Sequence, residues 1–124
     1  MTAYRVTLRA PATGPIAELT QVHPGLCVEG TPVGNLLLLR LTGDSGTIDD
    51  AEQTLATHMV TRHETKEADV LTLVVEASPP DVGVLERSAA ADALVLPPLR
   101  WCNSEVLVRF LLFDELRMNV LSGI

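Results

Sequence analysis

Apolar residues recur along this chain in two rhythms, and the change from one to the other marks its elements. The run from Leu36 to Leu41, entered from Asn35 and closed by Thr42 and Gly43, is too short for a helix and reads as a buried strand. After the turn Gly43-Asp44-Ser45-Gly46, the residues Ile48, Ala51, Leu55 and Met59 fall along one side of a helix. Thr47 with Asp50 three residues on reads as its capping box, Asp standing in place of Glu. Upstream, Tyr4 to Arg9 alternates apolar and polar, as a strand with one wet face does. Pro11 and Gly14 end it. Thr13 can cap a short helix with Pro15 in its first turn and Ile16, Leu19 and Val22 or His23 along its stripe. Pro24-Gly25 stops that helix, Leu26 to Thr31 is a second strand, and Pro32 to Gly34 is a turn. Val60 to Glu67 alternates but is mostly polar, which suits an edge strand.

The pattern then starts again. Val70 to Glu76 is a strong strand, and Pro79-Pro80-Asp81 opens a helix with Val82, Leu85 and Ala89 on one face. Ala93 to Trp101 is a strand interrupted by Pro97-Pro98, which implies an edge position or a bulge. After a turn at Cys102-Asn103-Ser104, Glu105 to Leu112 alternates with Val106, Val108 and Phe110 on one side. Phe113 to Ser122 is a last helix, with Gly123 as its C-cap. This order predicts an α+β fold of two tandem ferredoxin-like, ACT-like βαββαβ units, residues 1–68 and 69–124, the second lacking its last strand. A sheet short of one strand leaves an open edge, and such an edge predicts a homodimer.

Composition changes the picture mainly through charge. Sixteen acidic residues face nine basic ones, a net of −7, and Lys66 is the only lysine. With aromatics at 3%, this balance suits a salt-rich cytoplasm, where high charge keeps a protein soluble and salt screens its self-repulsion. It argues against a direct grip on nucleic acid, which needs clustered cations. No apolar run approaches the roughly 20 residues of a membrane span, and the start has no basic-apolar-small leader. The expected setting is cytoplasmic, with no membrane partner.

Candidate chemistry is sparse. Gly43-Asp44-Ser45-Gly46-Thr47 precedes a helix, so backbone N–H groups near Gly43, Ser45 and Thr47 could hold an anion, beside the plainer role of turn and cap. Arg40 interrupts an apolar strand, and such arginines pair with a carboxylate or reach a ligand. Cys102, between Trp101 and Asn103, is a candidate redox thiol if exposed. His23, Cys27, His58 and His63 lack the paired spacing of metal ligands, so no metal or other cofactor is expected. No nucleophile elbow or Schiff-base motif is present, and an enzyme is not expected.

Two stretches carry a resemblance. Leu36 to Leu55, with its strand, turn and helix, and Ala93 to Ile124, with the single Trp101 before a turn and the Gly123-Ile124 ending, resemble the N-terminal sensory region of the bacterio-opsin activator type of haloarchaeal transcription regulators. The resemblance implies a sensor and dimerisation domain. In that family a C-terminal helix-turn-helix binds DNA, and this chain has none, so DNA is reached only through such an element elsewhere. Thr13-Gly14-Pro15-Ile16-Ala17-Glu18-Leu19 also looks like the first loop and helix start of ACT domains, which implies an effector site at Thr13, Gly14 and Ile16 for a small, amino-acid-like molecule. The alternative expectation is such a regulatory domain in a metabolic protein.

Overall fold

In the computed structural model, which describes residues 4–76 and 93–112, nine elements follow one another. They are β1 (Tyr4–Pro11), α1 (Pro15–Val22), β2 (Cys27–Val33), β3 (Leu36–Thr42), α2 (Ser45–His58), β4 (Thr61–Glu67), β5 (Val70–Glu76), β6 (Leu94–Cys102) and β7 (Glu105–Leu112). The seven strands form one sheet in the order β1-β7-β6-β2-β3-β5-β4, with every neighbouring pair antiparallel.

This overturns the expected pair of tandem ferredoxin-like units. Element order does follow the split pattern as far as Glu67, but pairing does not. β1 pairs with β7 rather than with a strand of its own half, and β5 lies between β3 and β4. The reason lies in side-chain matching across strands. β4, with the sequence Thr-Arg-His-Glu-Thr-Lys-Glu, is exposed at every position and belongs at an edge. β5 buries Leu71, Leu73 and Val75, which pair with Leu41, Leu39 and Leu37 of β3. Each such burial contributes about 1.5–3 kcal/mol, so the apolar strand takes the inner place. Likewise the half-buried side of β1 registers Val6 and Leu8 against Phe110 and Val108. The expected missing strand goes with the tandem reading, and with it the open-edge ground for a dimer. The helices expected at 81–89 and 113–122 lie outside the described residues.

Both described helices cover the same face. α2 connects β3 to β4, which run parallel with β5 between them, and it buries Ile48, Ala51 and Leu55. α1 buries Ile16, Ala17, Leu19 and Thr20. The Thr20 hydroxyl donates to the Ala17 carbonyl (2.8 Å) and accepts from the Ser104 N–H (3.0 Å), tying α1 to the β6–β7 turn. The strand core face is continuous from Leu112 to Val75, with Trp101 at its middle. Trp101 lies over Gly30, where a Cβ would stand 2.6 Å from its Cζ3. The β2–β6 ladder is only three residue pairs long, Val28 to Gly30 against Leu99 to Trp101. Pro32, Pro97 and Pro98 have no N–H to extend it, and β6 shifts register between Leu96 and Arg100. So Pro97-Pro98 marks a bulge inside the sheet, and β6 is not an edge.

Candidate functional site

Strand alternation sends every second residue to the face opposite the helices. There the register aligns one row across the whole sheet, from Arg9 through Leu107, Arg100, Glu29, Arg40 and Thr72 to Thr65. Arg5 and Arg109 share this face, so it carries five of the chain's nine lysines and arginines, all exposed, together with Glu29, Glu67, Glu105 and Glu76, the last holding Arg62 of the edge strand. Arg9 and Arg100 are two strands apart, as are Arg100 and Arg40, which spaces each pair by roughly 10 Å.

Three adjoining depressions follow this row. Arg9, Arg100, Cys102, Asn103, Glu105 and Leu107 line one of about 270 Å³. Pro98, Arg100, Leu107 and Arg109 line a second of about 180 Å³. Glu29, Thr31, Leu38, Arg40, Pro97 and Pro98 line a third of about 290 Å³. Arg100 and Leu107 border the first two, and Pro98 borders the last two. Apolar walls of leucine and proline therefore alternate with guanidinium groups.

The arginines keep donors available. Arg100 Nη2 is 3.7 Å from Glu29 Oε1, a contact between side chains 53% and 36% exposed, which holds it only weakly. Arg109 Nη2 donates to the Pro97 carbonyl at 3.3 Å, which turns it toward the bulge. Among the described residues Arg9 and Arg40 make no ion pair. Each planar guanidinium can take a carboxylate or phosphate through two parallel hydrogen bonds.

The helix side has the opposite character. Lys66 of β4 donates to Asp49 and lies 3.5 Å from Glu52. The Asp49 hydrogen bond holds the Lys66 ammonium above its ordinary range. Glu64 is held above the ordinary glutamate range first by desolvation and then by its neighbour Glu52. His23 Nε2 meets Asp50 Oδ2 at 2.5 Å between α1 and α2.

The residues expected to form a site do not converge. Arg40 is on the arginine face. Gly43, Ser45 and Thr47 follow β3 at its end and lead to the helix face, where Asp44, not Thr47, is the N-cap. Its carboxylate accepts from the Thr47 N–H at 2.8 Å, and that hydrogen bond holds Asp44 below the ordinary aspartate range. So the cap is Asp44, and an anion on that N–H would compete with a carboxylate of the chain itself. The Gly43 N–H faces the Asp69 carbonyl at 3.3 Å. Thr13 and Gly14 lie after β1, at the far edge of the sheet from Gly43. Gly14 is the N-cap of α1, without a side-chain hydrogen bond, at φ 100°. Ile16 is fully buried, so it meets no ligand without opening the core. Cys102 is exposed and lines the first depression. Among the described residues no three His, Cys, Asp or Glu side chains come together as metal ligands.

Sequence reasoning did not include Arg9, Arg100 and Arg109 among the site residues. Their signal is the off-core phase of three alternating strands, but which strands adjoin is a non-local property. No protein-family model, curated protein or solved structure matches this chain.

Proposed function

We propose that this chain is a ligand-sensing module that binds a small anionic molecule with an apolar body on the arginine face of its sheet. The observation that supports it is the placement of five arginines on one face of a protein of net charge −7. Glu29, Glu67, Glu76 and Glu105 share the face, so the reading rests on where the arginines stand, beside leucine and proline that offer apolar contact. In a salt-rich medium the screening length falls to about 3 Å at 1 M. Recognition there rests on direct two-point hydrogen bonds to guanidinium groups rather than on long-range attraction. Within the resemblance of residues 36–55 and 93–124 to the sensory regions of haloarchaeal regulators, this face is the signal-receiving surface of a transcription regulator. DNA contact then belongs to a helix-turn-helix outside these residues.

A thermal-shift panel of carboxylates and phosphate esters against neutral analogues, in molar KCl, tests the reading. Anions should raise the melting midpoint and their alcohols should not. Arg100→Gln should weaken the best anion about tenfold, the equivalent of 1.4 kcal/mol, while Lys66→Gln on the helix side should leave it unchanged. Equal responses to anions and alcohols contradict it.

A further inference from the structure

The two cysteines are 75 residues apart in sequence and sit on neighbouring strands. β2 and β6 pair Val28 with Trp101 and Glu29 with Arg100, so one step further brings Cys27 opposite Cys102. Both point to the arginine face: Cys27 is two residues from Glu29, and Cys102 two residues from Arg100.

The hydrogen-bond phase of the two hairpins defines this pairing further. In an antiparallel strand each residue directs its N–H and C=O to one neighbour, and successive residues alternate. Cys102 and Glu105 close the two-residue turn Asn103-Ser104, whose residues have φ 49° and 65°. As the closing pair of such a turn they bond to each other, so Cys102 directs its backbone groups to β7. Val33 and Leu36 close the turn at Gly34-Asn35 in the same way. Six residues back along β2, Cys27 has the phase of Val33 and directs its groups to β3. Continued one step past Val28 and Trp101, where the ladder ends, this phase makes Cys27 and Cys102 a non-hydrogen-bonded pair, the kind whose Cα atoms approach most closely, about 4.5 Å apart. A disulfide spans Cα separations of roughly 4.4–6.8 Å, so this register admits one without moving either strand.

We propose that Cys27 and Cys102 are a reversible dithiol modification site that closes to an intramolecular disulfide under a peroxide oxidant. Both thiols are free in the structure, Cys102 exposed and Cys27 half-buried. Cys102 reacts first: its sulfur attacks a peroxide oxygen, the O–O bond breaks, and sulfenic acid and one water form. Cys27 sulfur then attacks the Cys102 sulfur, the S–O bond breaks, and the thiol proton leaves with the hydroxyl as a second water. Two thiols and one hydrogen peroxide give one disulfide and two waters. The bond lands at the seam of the sheet, where three residue pairs alone join β6-β7-β1 to β2-β3-β5-β4. It also draws Cys102 away from the first depression, of which its side chain is a wall.

The test uses the full 124-residue chain, reduced with dithiothreitol, desalted, and exposed to a small excess of hydrogen peroxide. The expected product is monomeric, lighter by about 2 Da for the two hydrogens lost, with the Cys27 and Cys102 peptides linked in a non-reducing digest. Its melting midpoint rises, and dithiothreitol reverses both changes. The Cys27→Ser variant should instead hold a sulfenic acid at Cys102 that dimedone traps, and should show no rise in midpoint. Loss of the Cys102 thiol with Cys27 still free in the wild-type chain would overturn the proposal. So would a product linked only between molecules.

Discussion

On the helix side of the sheet Leu37, Leu39, Leu71, Leu73, Trp101 and Phe110 are at most 2% exposed, whereas the same strands turn Arg40, Thr72, Arg100 and Arg109 outward. Successive residues of one strand thus answer to different requirements. The helix-side positions are set by close packing, which tolerates neither lost nor added volume. The outer positions are half-buried or exposed, and they hold arginines beside glutamates along three adjoining depressions. A face that carries residues the fold does not require is where function can be sought.

The contrast can be broken first in the core. Trp101→Ala should cost about 3–5 kcal/mol, the usual range for removing a buried aromatic. Gly30→Ala should cost about 1–3 kcal/mol, because its Cβ would meet Trp101 and Leu37 and overpack the site. Arg100→Gln, one residue from Trp101 but on the other face, should stay within about 0.5 kcal/mol of the parent. Denaturant titration in molar KCl measures all three, and an Arg100→Gln loss comparable to Gly30→Ala would erase the distinction between faces.

Salt should produce the next largest effect. Raising KCl from low to molar concentration should raise the melting midpoint, since it screens the self-repulsion of a −7 chain. The same salt should weaken anion binding on the arginine face. Opposite slopes of stability and affinity against salt are the expected signature, and parallel slopes contradict it.

The smallest effect concerns pH on the helix side. The folded pKa of Asp44 is lowered by the Thr47 N–H, so its contribution is present above the ordinary aspartate value of 3.8 and is lost as pH falls through the lowered value. Glu64 has the opposite sign: its raised folded value makes protonation favour the fold, so its unfavourable contribution fades as pH falls toward 4.5. Asp44→Ala should lower the melting midpoint modestly at pH 7, and less near pH 3. Glu64→Gln should remove the gain expected as pH falls toward 4.5. Melts of both variants across this range check the two signs.

Much of this contrast was legible along the chain. Short apolar runs located the strands at 36–42 and 70–76, and alternation those at 105–112 and ending at Glu67, because both patterns are local properties. The split of sides was legible in 105–112, where Val106, Val108 and Phe110 share one, but not in the apolar runs at 36–42 and 70–76, whose alternating burial appears only in the sheet. Partner choice did not, because β1 and β7 meet across nearly the whole chain, and complementarity over such separations leaves no local mark. Hence an element order shared with tandem ferredoxin-like units gave way to one sheet. The site was obscured for the same reason. Arg40 stood out as a charge in an apolar run, but Arg9, Arg100 and Arg109 read as ordinary wet-face residues until the register aligned them. The capping error was local: Asp44 and Thr47 both favour an N-cap, and the helix begins at the earlier one.

The central claim is that the outer face, and not the helix face, receives an anion. Arginine Nε–Hε resonances of the ¹⁵N-labelled chain, followed in molar KCl during titration with octanoate, octyl phosphate and octanol, test it most directly. Arg9, Arg40, Arg100 and Arg109 should shift with the two anions and stay in place with octanol, while the backbone N–H resonances of α2 stay in place throughout. Shifts that are equal for octanol and octanoate, or that centre on the backbone of α2, contradict the claim.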